Sequence, residues 1–237
     1  MLGLGNSITS GYIPFTLTSV SSLALWFQNG VGVSASQWND SSGNNNHAIQ
    51  NTAGRQADVS DGGLDFEEGQ QDHYDFTNIT IADEGGFCIA WVMDTETSTI
   101  NTLLSDTNNE MIQIQNSSKL RLVTNDPSVI TTQIHVNGTP FGNAKAVFLL
   151  NRTAGSSGAF SVFKNGTQLT IEPDSGNSTL ADAGANTHGF SVDTLGARNG
   201  SDHIFDGKIL ELAFWNRSLN SGEIADVNSY LKNFHGL

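Results

Sequence analysis

The sequence predicts an all-β sandwich of two antiparallel sheets closed by a short C-terminal helix, and three observations lead there. Across 237 residues the chain carries 25 glycines, a surplus of Asn, Ser and Thr, and only 14% charged residues. That composition suits many short strands joined by polar turns, whereas a helical bundle would need more Lys, Glu, Leu and Ala. The stretch from Phe205 to Leu219 alternates as a strand does, with Ile209, Glu211, Ala213 and Trp215 on one face and Leu210, Leu212 and Phe214 on the other. After it, Asn220 stands as N-cap with Glu223 at capping-box spacing. Ile224, Val227, Leu231 and Phe234 then recur at helical spacing before Gly236.

Taken in order, strands are expected over Leu23–Gln28, Leu64–Phe66, Tyr74–Phe76, Phe87–Met93, Thr102–Ser105, Met111–Gln115, Leu120–Thr124, Ala146–Asn151, Phe160–Lys164, Gln168–Ile171, Ser191–Leu195 and Lys208–Trp215. Turn-rich segments such as Asp106-Thr107-Asn108-Asn109 separate them. The clearest hairpin folds at Asn165-Gly166, a pair that tolerates the positive φ angles of a two-residue turn. No repeat, Pro-rich linker or charge block divides the chain, and one large domain fits its length.

Three segments carry a resemblance. The closing Gly207-Lys208-Ile209-Leu210-Glu211 run leads into an Asn216-Arg217-Ser218-Leu219 turn and the terminal helix. Leu23–Phe27 precedes Gln37-Trp38-Asn39-Asp40-Ser41-Ser42-Gly43-Asn44-Asn45-Asn46-His47, and Gly63-Leu64-Asp65-Phe66 precedes Asp72-His73-Tyr74. Together these resemble the concanavalin A-like jelly rolls, in particular the laminin-G-like group. The resemblance implies a two-sheet jelly-roll sandwich over residues 23–237, preceded by an arm of residues 1–22. It leaves function open, since this fold hosts lectins, hydrolases, adhesins and virion proteins.

Composition excludes several classes. A net charge of −14 with only 10 Lys and Arg argues against nucleic acid as a partner. No apolar run reaches the ~20 residues that span a bilayer, and the first residues lack a basic segment followed by an apolar one, so neither membrane insertion nor export is expected. Cys88 is the single cysteine, set in the apolar run Phe87–Val92, and is expected to be buried and inert.

Residues 1–22 hold no charged side chain but carry Tyr12, Ile13, Phe15 and Leu17. These four are expected to contact a neighbouring subunit, the alternative being an arm folded back on its own domain. The loop from Asp40 to His47 is rich in oxygen donors, as calcium requires. Asp40 and Asn45 are its candidate ligands, and the resemblance adds Glu211 from the last strand; otherwise no cofactor is expected. The alternative is a turn whose side chains bond their own backbone. The acidic run Asp65, Glu67, Glu68, Asp72 and Asp75 lacks the Glu-x-Asp-x-x-Glu pattern of the retaining glucanases on this fold. The six histidines have no zinc-like spacing. No catalytic residue is identified.

Sugar binding needs only a few donors on loops, and Asn199, Asp202 and His203 are the candidates. The uncharged arm and its opening Leu2-Gly3-Leu4-Gly5-Asn6-Ser7 also resemble accessory virion proteins of tailed marine bacteriophages. That resemblance implies a non-enzymatic capsid-decoration or fibre protein located in the virion, with other virion proteins or its own copies as partners. A carbohydrate-binding adhesin recognising host-surface glycans is the alternative, and an unrecognised polysaccharide hydrolase the third.

Overall fold

The computed structural model describes residues 15–95, 100–106, 110–124, 130–142, 144–156, 158–171 and 187–237. Two antiparallel sheets face each other. The first joins β1 (Leu23–Phe27), β5 (Asp58–Ser60), β6 (Gly63–Phe66), β8 (Phe87–Thr95), β13 (Ala146–Arg152), β14 (Phe160–Lys164), β15 (Thr167–Gln168) and β17 (Gly207–Trp215). Its order is β15-β14-β13-β8-β17-β6-β5, with β1 also paired to β17. The second joins β2 (Val33–Ser34), β3 (Gln37–Trp38), β4 (Ala48–Ile49), β7 (Tyr74–Ile81), β9 (Asn101–Ser105), β10 (Met111–Asn116), β11 (Lys119–Thr124), β12 (Ile130–His135) and β16 (Phe190–Leu195). Its order is β12-β11-β10-β9-β16-β7-β4-β3-β2. Helix α1 (Ser221–His235) follows β17.

Two cores result. Between the sheets lie Phe27, Trp38, Phe66, Phe87, Trp91, Phe148 and Phe214, with aliphatic residues from both layers. On the other side of the first sheet, Trp26, Cys88, Val92, Val147, Leu149, Ala213 and Trp215 meet Ile224, Val227 and Leu231 of α1. Burial on both faces explains why β8 and β13 read as nearly continuous apolar runs.

The strict alternation read along β17 fails at one point. A bulge shifts the register against β8 between Ile209 and Glu211. Ile209 therefore shares the inter-sheet core with Leu212 and Phe214, while Leu210 joins Ala213 and Trp215 on the helix side. An extra residue in one strand inverts the alternation before it. Gly63 lies against the bulge: a Cβ there would sit 2.2 Å from the Ile209 carbonyl oxygen.

The Asn165-Gly166 hairpin forms as expected, with φ of 49° and 83° and Lys164 opposite Thr167. Its second strand ends at Gln168 rather than Ile171, whose backbone instead bridges to Val136. In α1, Asn220 accepts from the N–H groups of Gly222 and Glu223, and Glu223 accepts from the Asn220 N–H at 2.9 Å. Phe234, expected on the buried stripe, is instead 48% exposed and stacks on Tyr230.

Residues just before Leu23 pack on the domain itself. Leu17 is fully buried in the second core with Val20, and the Phe15 ring meets Tyr230 of α1 at 6.0 Å. Two of the four proposed subunit contacts, Phe15 and Leu17, thus spend apolar surface on this chain's own helix and sheet. Tyr12 and Ile13 lie outside the described residues.

Candidate functional site

The residues expected to hold calcium are committed elsewhere. Asp40 Oδ1 accepts from the N–H groups of Trp26 (2.9 Å) and Ser42 (2.8 Å). Its Oδ2 accepts from Ser42 Oγ (2.7 Å) and the Asn46 N–H (3.0 Å). A carboxylate has about four lone-pair sites, and here each receives a proton donor. Glu211 is fully buried on the helix side of the sheet, where Oε1 accepts from the Trp26 indole (2.7 Å) and Oε2 lies 2.7 Å from His235 Nε2. Asn45 is exposed on the loop with φ of 60°. Among the described residues no group of three His, Cys, Asp or Glu is placed to hold a metal. The three candidates do not fit a calcium site. Instead the loop staples the edge of β1, with Asn44 and Asn46 donating their side-chain N–H groups to the Leu23 and Ala24 carbonyls.

The acidic run is likewise architectural. Asp72 is buried and accepts from the Glu67 N–H at 2.8 Å. Burial pushes its carboxyl above the usual range, more than this backbone bond lowers it. Cys88 is fully buried, and burial pushes its thiol up, which keeps it protonated and inert.

The loop carrying Asn199, Asp202 and His203 is a different matter. Where β16 ends, the chain continues beside β9 as a further strand would. Gly196 donates its N–H to the Leu103 carbonyl (3.1 Å), Thr102 donates to that of His203 (3.2 Å), and Ser105 Oγ donates to that of Ala197 (2.6 Å). Within the loop Asp202 holds Arg198 through its Oδ2, and its Oδ1 takes the backbone N–H and ring Nδ1 of His203. Burial raises the Asp202 carboxyl, but the His203 and Arg198 charges outweigh it and hold the group below the ordinary value. Asn199, at the tip, is exposed with φ of 51°.

This loop lies at one end of a polar row on the second sheet. In β9 to β12, Leu104, Ile112, Leu120, Leu122 and Ile134 point into the inter-sheet core. Alternation sends Gln113, Arg121 and Gln133 to the opposite face, Thr102 joins them through the bulge that shifts the β9–β10 register between Leu104 and Thr102, and the register sets the four side by side. Gln113 Nε2 donates to Thr102 Oγ1 at 3.0 Å. Its Oε1 has no partner although the residue is fully buried. The same is true of the Oε1 atom of Gln115, at the adjoining bulge, and of Arg121 Nε, His135 Nδ1 and Arg198 Nε, all buried atoms without a hydrogen-bond partner. Five of the nine such atoms among the described residues thus belong to this row and its ends, which marks it as the region with hydrogen-bonding capacity to spare.

Charge on the row is polarised. Burial lowers the Arg121 pKa, and the positive charge of Arg198 lowers it further, with no carboxylate acting against them. Towards β7 and β16 the face turns acidic: Asp193 is raised chiefly by burial, with Asp106 and Asp75 adding to it. A depression of about 190 Å³ opens there between Thr80–Asp83, Glu110 and Gly189–Ser191. Its carboxylates are in structural use, since Asp83 accepts from the Gly189 N–H and Glu110 from the Ser191 N–H, both at 2.7 Å.

Asn199, Asp202 and His203 lie in the loop at one end of this row, whereas Gln113, Arg121 and Gln133 are not among the residues expected from sequence. Gln113, Arg121 and Gln133 come from three strands, and each alone is an ordinary outward residue, the first two between apolar neighbours and the third between Thr132 and Ile134. The available signal was the recurrence of long polar side chains at alternate positions in consecutive strands.

A family model described as the concanavalin A-like lectin/glucanases superfamily matches residues 68–225. Similar solved structures include the binding domain of Paraclostridial Mosquitocidal Protein 1, at 13% identity and a TM-score of 0.56, covering 92% of this chain and 54% of that one. The ligand-binding domain of botulinum neurotoxin serotype D, in complex with N-acetylneuraminic acid, matches at 14% identity and a TM-score of 0.56, covering 90% and 52%. Trypanosoma rangeli sialidase matches at 18% and 0.54, covering 91% of this chain and 33% of that one. The chain therefore spans about half or less of the length of these structures. No curated protein matches it.

Proposed function

Because the chain belongs to the concanavalin A-like lectin/glucanase superfamily, and because a jelly roll of this kind acts through whatever site its faces and loops carry, we propose that it is a non-enzymatic carbohydrate-binding domain. Its site on this reading is the row Arg198, Thr102, Gln113, Arg121 and Gln133, the function being adhesion to glycans. The observation that carries the proposal is the buried Gln113 Oε1 without a donor, flanked by Gln115 Oε1 and by guanidinium Nε atoms without acceptors. A sugar hydroxyl both donates and accepts, so vicinal hydroxyls answer amide oxygens and guanidinium N–H groups together. Each such atom left unsatisfied costs about 1–3 kcal/mol, which a ligand recovers on binding. In support, two of the similar structures are a binding domain and a ligand-binding domain, the latter in complex with N-acetylneuraminic acid.

A virion role rests on resemblance and on an arm free to dock elsewhere. Leu17 lies instead in the chain's own core, while Tyr12 and Ile13 fall outside the described residues. Glycan-array screening followed by calorimetry tests the glycan-binding reading. Binding to at least one oligosaccharide, weakened tenfold or more by Gln113→Leu with the fold intact, is expected. An array without a specific hit, or release of reducing ends from a bound polysaccharide, would overturn it.

A further inference from the structure

We infer that the saccharide bound along this row is acidic, its anionic group received by Arg121 and Arg198. This inference rests on the glycan-binding reading and names the class of sugar. The chain holds only 10 Lys and Arg against 24 Asp and Glu, so two guanidiniums near enough to repel one another on one row, Arg198 in the loop beside β9 and Arg121 on β11, run against its overall charge.

Arg198 is anchored from one side by Asp202, which leaves its Nε without an acceptor. Arg121 stands between Gln113 and Gln133 in register, and its Nε also lacks one. Neutral hydroxyls satisfy the hydrogen-bond deficit of such a pair but leave its repulsion in place. A carboxylate or sulfate answers both, because a guanidinium fork matches paired anionic oxygens and charge-assisted bonds are about twice as strong as neutral ones. The amide oxygens Gln113 Oε1 and Gln115 Oε1 require the opposite partner, a hydroxyl donor, so the ligand must carry both groups close together. A sugar ring bearing an acid does. A free inorganic anion does not.

Calorimetry with tetragalacturonate and 3′-sialyllactose as carboxylated probes, a sulfated lactose as the sulfated probe, and lactose and cellotetraose as neutral probes tests this in the full chain. At least tenfold tighter binding of one acidic probe over its neutral counterpart is expected, falling between about 20 and about 300 mM salt as screening grows. The carboxylated and sulfated arms identify which anion the site takes. Arg121→Gln should remove the preference for the acidic probe over its neutral counterpart. Arg198→Gln, with melting followed in parallel, gives the same reading should the first variant fold poorly. Equal affinity for acidic and neutral probes, or a preference that survives both substitutions in folded protein, overturns the inference and leaves glycan binding standing. Failure of every probe and of the wider array overturns both.

Discussion

Glu211 shows how much one residue's surroundings decide. Its carboxylate is fully buried on the helix side of β17, held by the Trp26 indole and by His235 from the last turn of α1. It ties three elements together where an exposed acid would have been free to bind a cation. Replacing His235 with Ala should leave one carboxylate oxygen buried without its partner and lower stability by about 1–3 kcal/mol, measured by urea unfolding. Asp40 is more deeply invested, with four donors on two oxygens. Asp40→Ala should cost at least about 3 kcal/mol, the worth of two charge-assisted bonds, whereas a calcium chelator should leave the melting temperature of the native chain unchanged. A large drop on chelation would restore the calcium reading.

At the scale of elements, α1 is set by its first turn. Asn220 and Glu223 close the capping box, and Arg217 forks onto both Glu223 oxygens at 2.6 and 2.9 Å while also reaching the Ser21 carbonyl. The Arg217 hydrogen bond holds the Glu223 carboxyl below its ordinary value of 4.5. A group depressed on folding contributes stability above its unfolded pKa and loses it as pH falls through the lower folded one. Glu223→Gln should therefore be less stable than wild type near pH 7 by a few tenths to about 1 kcal/mol, the pair being partly exposed. Thermal melts of the two proteins should converge as the pH falls from 4.5 through the lower pKa of the folded state. Asn220→Ala removes the cap itself and should cost about 0.5–2 kcal/mol at any pH.

For the whole molecule, the consequence concerns where the folded unit begins. Leu17 and Val20 are buried against the first sheet and α1. A chain starting at Leu23 should fold less stably than one starting at Phe15, each lost side chain being worth roughly 1.5–3 kcal/mol of burial. Chemical denaturation of the two truncations measures it. Equal stability would mean that this segment is a loose extension after all.

What the sequence determined by itself is the sandwich and its ending. Alternating and continuous apolar runs, the Asn165-Gly166 turn and the Asn220/Glu223 cap are local signals whose physics is complete within a few neighbouring residues. The cysteine was legible for the same reason, being set in a run that can only be core. Tertiary structure alone decided the β17 bulge, which moves Ile209 and Leu210 to opposite cores through pairing with β8 and β6. It also decided the fates of Asp40 and Glu211, because a carboxylate's role follows from which donors reach it, and those donors come from residues as far away as Trp26 and His235. The polar row is the extreme case. Thr102, Gln113, Arg121 and Gln133 become neighbours only through strand register, and no window of sequence contains an interaction that exists solely across four paired strands.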